Sequence, residues 1–168
     1  MFGWRDCGDE SPCPAFNKIS MSLQTDIIIV KALRADAELM KELKAGDVYN
    51  TSIEKPDADM DNIPVPYIIV TFDGMSEDSY TKDSSFAGDG DNVTVGIEVA
   101  ADSRADVARL AIRIRKAVTE YLKGIDEDDE DYSLVPSSIS FSAQGVQYDP
   151  VKPCFWQRLV YNCLTEID

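Results

Sequence analysis

The chain of 168 residues contains no histidine. Histidine is the side chain best suited to proton transfer near neutral pH and the commonest metal ligand. Its absence excludes Ser-His-Asp and Cys-His nucleophilic centres and every zinc site built on imidazole. Positive charge is also scarce: 16 Lys and Arg stand against 31 Asp and Glu, for a formal net charge of −15. Neutralising phosphates requires Lys and Arg, so nucleic acid is not an expected direct ligand, and no sequence-specific nucleic-acid binding is expected. Long hydrophobic runs are missing too. The longest, Ile27 to Val30, is one helix face and falls far short of the roughly 20 residues of a membrane span, so no membrane partner is expected. Met1 to Pro14 lack the basic start and apolar stretch of a signal peptide, which points to a cytoplasmic origin.

Cysteine is sparse and badly spaced for metal. Cys7, Cys13, Cys154 and Cys163 include no CxxC pair and no zinc-ribbon spacing. Cys154 and Cys163 fall in or beside one predicted strand, where nine residues span roughly 30 Å, too far for a disulfide. Both read as free thiols, with Cys163 buried. Cys7 and Cys13 can pair only in an oxidising compartment; a cytosolic chain keeps them reduced.

What is present fits a single domain. A hydrophobic fraction of 44% and a charged fraction of 28% are ordinary for a globular protein of this length. Residues 1–20 mix Gly, Pro, Cys and charge without period and read as an extension, either disordered or an arm that docks on a neighbour through Phe2, Trp4 and Phe16. Residues 21–168 read as one folded unit.

Within that unit Leu23, Ile27, Val30 and Leu33 recur at helical spacing after Ser22, a candidate N-cap. Asp36 can cap a second helix carrying Leu39, Met40 and Leu43, which Gly46 ends. Val48 and Tyr49 suggest a short strand. Asn50 to Pro66, with three prolines and four acids, reads as loop. Tyr67 to Asp73 is β-branched and aromatic, hence a strand. Gly74 to Asn92, rich in Asp, Ser and Gly, is a long loop or a hairpin tip, with a strand near Ser79 to Lys82 in the second case. Val93, Val95, Ile97 and Val99 alternate with Thr94, Gly96 and Glu98, the pattern of a half-buried strand.

The clearest element follows. Ser103 with Asp106 resembles a capping box. Val107, Leu110, Ala111, Ile114, Ala117, Val118, Tyr121 and Leu122 then form one apolar helical stripe, and Gly124 ends it. Asp126 to Asp131 is an unbroken run of six acids, a block expected to repel itself and stay solvated. Ser137 to Ser142 reads as a strand, Gly145 to Pro153 as a turn or bulged connection. Phe155, Leu159, Tyr161, Cys163 and Ile167 share one face of a long terminal strand, and Trp156 falls on the opposite, wetter face. The whole is an α+β fold: a mainly antiparallel sheet with two to three helices packed on one face.

Catalytic and metal motifs fail on inspection. Asp57-x-Asp59-x-Asp61 copies the first half of an EF-hand loop, but Asn62 stands where Gly is wanted and Ile68 where a bidentate Glu belongs. Gly88-x-Gly90 does not open a helix, so it is no phosphate cradle. Acids in a wet run lack the pocket and raised pKa of paired-carboxylate chemistry. No enzyme activity, no cofactor and no metal site are expected. The acidity has three candidate roles: solubility, repulsion of passing DNA, or mimicry of DNA toward a DNA-binding protein.

The order and spacing of several segments carry a resemblance. They are Met21-Ser22-Leu23 opening a helix, Ala35-Asp36-Ala37 starting the next, and Gly46-Asp47-Val48-Tyr49 before a Pro-bearing loop. Val65-Pro66-Tyr67-Ile68-Ile69-Val70 and Val95-Gly96-Ile97-Glu98-Val99 follow, then Asp102-Ser103-Arg104-Ala105-Asp106, and Tyr148-Asp149-Pro150 before the terminal strand. From about Met21 onward the chain resembles the tail-completion or tail-terminator family of long-tailed phages and prophages. The resemblance implies a small α+β virion subunit, assembled in the host cytoplasm. It forms a homo-oligomeric ring, usually hexameric, that caps the tail-tube protein, stops its polymerisation and meets the head connector protein. No catalytic residues transfer. The Cys-containing N-terminal arm and the acidic insert after the long helix depart from the family.

On that reading Trp156, Arg158, Asp89 and Asp91 are candidate interface residues. Asp126, Glu127, Asp128, Asp129, Glu130 and Asp131 are candidates to line the lumen of the ring. The alternative is an acidic DNA-mimic inhibitor of a DNA-binding protein. Its acids should be arrayed at fixed positions, whereas here they cluster in Gly-, Ser- and Pro-rich loops.

Overall fold

The computed structural model describes residues 24–43, 48–50, 63–78 and 90–166. Helix α1 (Thr25–Ala35) buries Ile28, Ile29, Ala32 and Leu33, while Ile27 is only half-buried. Val30 and Leu33 are buried as expected, while the apolar face takes in Ile28 and Ile29 more deeply than Ile27; Leu23 lies outside the described residues. Gln24 occupies the N-cap position without a side-chain cap bond; Ser22 and Gly46 lie outside the described residues.

Asp36 ends α1 and begins α2 (Ala37–Leu43). Its amide donates to the Leu33 carbonyl at 3.3 Å, and its Oδ1 accepts from the Leu39 amide at 2.9 Å. A carboxylate at this position satisfies one of the orphan donors of the next helix. Strand β1 (Val48–Asn50) then pairs in parallel with β2 (Tyr67–Asp78). The Arg34 Nη2 donates to the Val48 carbonyl at 2.7 Å and ties α1 to this edge strand.

Strands β2 and β3 (Gly90–Ala101) form a long antiparallel hairpin, with Tyr67 opposite Ala100 and Asp78 opposite Gly90. Met75 to Asp78 and Gly90 to Asn92, expected within a long loop or a hairpin tip, are thus strand, and the hairpin alternative holds with strands longer than expected. The tip and the expected strand at Ser79 to Lys82 lie outside the described residues, as do Asp57, Asp59 and Asp61. The register slips at Asp73, and Gly74 beside it has φ +156°, so a bulge interrupts the pairing.

Helix α3 (Arg104–Lys123) is capped as its sequence indicates: the Asp106 amide donates to Ser103 Oγ at 3.1 Å. Its six inward residues from Val107 to Val118 are all buried. A 3-10 turn (Tyr132–Leu134) leads to β4 (Ser138–Ala143), β5 (Gln147–Asp149) and β6 (Cys154–Glu166). Within Gly145 to Pro153, expected as a turn or bulged connection, the short β5 pairs with the start of β6. The sheet order is β1-β2-β3-β6-β4, with β5 beside β4 along the same side of β6.

This is an α+β fold with three helices and a mostly antiparallel six-stranded sheet among the described residues. The helices cover one face. Val93, Val95, Ile97 and Val99 of β3, with Leu159, Tyr161 and Cys163 of β6, meet α1 and α3 there. Alternation puts Thr94 and Glu98 on the other side.

Candidate assembly interface

The sheet face away from the helices is not simply wet. Tyr67, Ile69, Ala100 and Cys154 form a second buried cluster, and Tyr49, Ile63, Val65 and Trp156 pack on it half-buried. Trp156 therefore lies on the expected face but against neighbours, because Ala100 opposite it on β3 leaves room for the indole. Lys152 places its ammonium 4.5 Å from the Tyr67 ring centroid, and the Tyr67 hydroxyl reaches Glu98 Oε1 at 3.3 Å. Burial, and then the nearby Glu98 charge, hold the Tyr67 phenol well above its ordinary titration range.

Arg158 stands on the same face, two residues along β6. Its Nη2 donates to both carboxylate oxygens of Asp73 on β2, at 2.6 and 2.5 Å. The bridge spans β3 at Gly96. A Cβ there would lie 2.5 Å from Arg158 Nη2 and from Asp73 Oδ2. The crossing favours glycine at this position, and the bulge brings Asp73 to meet Arg158. Gly96→Ala is expected to displace the two side-chain ends and lower stability by about 1 kcal/mol, since such half-exposed pairs contribute little. Arg158→Met should lose a similar amount, and the double variant no more than either alone. Additive losses in thermal unfolding would contradict the crossing.

The other interface candidates differ. Asp91 is only 5% exposed, held in the start of β3 where the sequence suggests a long loop or hairpin tip, so it presents no surface carboxylate. Thr165 Oγ1 donates to its carbonyl at 3.2 Å. Asp89 lies outside the described residues.

The acidic run is also not uniform. Asp126 to Glu130 are exposed, but Asp131 is 8% exposed. It accepts from Lys31 Nζ at 2.5 Å and from the Tyr121 hydroxyl at 3.4 Å. The last acid of the block thus escapes solvation because α1 and α3 supply it with donors. The hydrogen bond to Asp131, opposed by desolvation and aided by the Asp131 charge, raises the Lys31 pKa. Consecutive turns shape the rest: the Asp129 amide donates to the Asp126 carbonyl at 3.0 Å and the Tyr132 amide to the Asp129 carbonyl at 3.1 Å.

Cys154 and Cys163 are free and buried. Burial pushes the Cys163 thiol up to about 12 and raises Cys154 as well, so both remain protonated and unreactive near neutral pH. Among the described residues no three Cys, Asp or Glu side chains are grouped to hold a metal ion.

Sequence reasoning missed a groove between α3 and β4, of about 440 Å³. Ile139 and Phe141 do alternate in sequence, but nothing there says that β4 is an edge strand with an open groove between it and α3. Tyr148 and Val151, 55% and 92% exposed beside β5, are further apolar surface of the same edge.

Neither protein-family models nor curated proteins give a match. Solved structures do. The chain is similar to one in the virion of a native gene transfer agent particle, with a TM-score of 0.50 and 20% identity, over 84% of this chain and 94% of that one. It is also similar to gp17 of bacteriophage SPP1, with a TM-score of 0.44 and 18% identity, over 88% of this chain and 91% of that one. At these identities the likeness is one of fold, shared over 84% of this chain with a chain in a gene transfer agent virion.

Proposed function

We propose that this chain is a structural protein of a phage or prophage virion, of the tail-completion or tail-terminator family. Copies of it form a homo-oligomeric ring, hexameric as in the family it resembles, which caps the tail tube and joins it to the head connector. The observation that carries the reading is the shared fold with a virion chain over 84% of the sequence. The mechanism is geometric. One ring face matches the last ring of tube subunits and the other does not repeat it, so polymerisation stops. No cofactor or bond-making step enters.

Two features support assembly. Among the described residues β1 and β4 each pair on one side only, and unpaired edges are normally covered by a partner. The face around Trp156 already holds an apolar cluster rimmed by charge, the composition of an interface centre. Asp126 to Glu130 are exposed and suited to line a lumen from which DNA must be repelled. Replacing those five by Asn and Gln should leave ring formation intact and raise the amount of DNA retained on the particles. Unchanged retention would contradict a luminal position.

The DNA-mimic reading gains one point from the structure: hydrogen-bonded turns hold part of the acidic run, where the sequence suggests a loose loop. The mass in solution separates the two. Light scattering behind size exclusion, at rising concentration and at low and high salt, should give a ring-sized species on the terminator reading. A strict monomer that captures a DNA-binding protein would favour mimicry.

A further inference from the structure

The groove between α3 and β4 has a built interior. Phe141 and Tyr161 form its floor, with ring centroids 5.2 Å apart, and Val118, Leu122 and Val135 line its walls. Tyr161 is 2% exposed, and its hydroxyl has no hydrogen-bond partner among the described residues. A buried phenol of this kind normally finds one. The rim carries Arg115, stacked 5.2 Å from the Phe141 centroid, and Lys123. Neither makes an ion pair among the described residues, in a chain with a net charge of −15. The groove therefore suits an extended segment with an aromatic anchor and acidic neighbours.

The chain contains such a segment. Residues 1–20 carry Phe2, Trp4 and Phe16 together with Asp6, Asp9 and Glu10. Their point of entry into the fold is also fixed. Lys31 pairs with Asp131, beyond the C-terminal end of α3, whereas Asp36 pairs with Arg113 near its middle. Helix α1 thus runs antiparallel to α3 and begins at the end of α3 where Leu122, Lys123 and Val135 bound the groove. Phe16 lies eight residues before Gln24, a reach of about 26 Å when extended. Crossing the end of one helix takes roughly 10 Å.

We propose that the N-terminal arm seats in the α3–β4 groove of its own chain. Phe16 enters between Val118 and Phe141, and Asp9 and Glu10 meet Arg115 and Lys123. A polar atom of the arm partners the Tyr161 hydroxyl. This seat does not depend on ring formation, since the groove and its occupant belong to one chain.

The test uses the full chain carrying Trp4→Phe, Trp156→Phe and Phe16→Trp, which leaves a single indole in the arm. Its emission should be blue-shifted and its quenching by acrylamide several-fold weaker than in the isolated 1–20 peptide with the corresponding Trp4→Phe and Phe16→Trp changes. Adding Phe141→Ser, or Arg115→Glu with Lys123→Glu, should raise quenching toward the peptide value. The charge reversals lie at exposed positions and leave the core intact, and far-ultraviolet circular dichroism checks that. Quenching equal to the peptide's, or protection that ignores both sets of substitutions, would overturn the proposal. Protection that persists at dilutions where light scattering reads one chain supports the intramolecular seat. Protection lost on dilution overturns it.

Discussion

Leu159→Ala is expected to destabilise the protein by about 2–5 kcal/mol, a large share of the roughly 5–15 kcal/mol of a typical domain. Leu159 is fully buried at the middle of β6, opposite Ile97 of β3, which is also fully buried. Strand β6 pairs with β3 along one edge and with β4 and β5 along the other, so the site lies between strands and under α3. A truncated side chain there leaves a void that the surrounding ladder cannot close, which places the loss toward the upper end of the range. Ile112, on the outward side of α3 and 73% exposed, is the control. Ile112→Ala should change stability by no more than about 0.5 kcal/mol. Urea titrations of both variants measure the difference, and comparable losses would mean that α3 does not cover the sheet as described.

The second large effect is expected at Asp36. Its carboxylate caps α2 and accepts from Arg113 Nη2 at 2.5 Å and Nε at 3.0 Å, with the side chain 8% exposed. Burial alone would raise its pKa. The Arg113 hydrogen bonds, the Leu39 amide and the Arg113 charge outweigh burial, and the net direction is down. Asp36→Ala removes cap and ion pair together and should lower stability by about 2–3 kcal/mol at pH 7. Asp36→Asn keeps a cap acceptor, so its loss should be smaller, about 1–2 kcal/mol. The two losses also separate in their pH dependence. A carboxylate whose folded pKa is depressed contributes stability above its unfolded value, near 4, and loses it as pH falls through the folded value. The gap between the parent and Asp36→Asn should therefore narrow progressively below about pH 4, and a gap independent of pH would contradict the assignment.

These two sites differ in how far they can be read from sequence. Alternation in Val93 to Val99 and the helical stripe from Val107 to Leu122 mark both sides of the core directly, because period follows backbone geometry. Asp36 and Ser103 are legible as caps for the same local reason. The Asp36–Arg113 pair is not, since it joins residues whose proximity depends on how α1 packs on α3. The hairpin strands outrun their apolar pattern. Met75 to Asp78 and Gly90 to Asn92 are held by ladder hydrogen bonds to each other and to β6, although their composition reads as loop. Asp131 shows the same limit from the charge side: six consecutive acids look alike in sequence, and only tertiary packing places Lys31 and Tyr121 around the last one. Strand parity places Trp156 on the sheet face away from the helices, where the structure has it. Gly96, the Arg158–Asp73 crossing and the α3–β4 groove arise from strand order, which no local pattern encodes.

The proposed function is closure of a tail tube by copies of this chain. It is tested most directly by electron cryo-microscopy of tail tubes grown from the cognate tube protein in the presence of this protein. The expected result is a ring of extra density at one end of each tube, and tubes that stop lengthening once the ring is present. Tubes that keep growing with bare ends, or protein scattered along their sides, would contradict it.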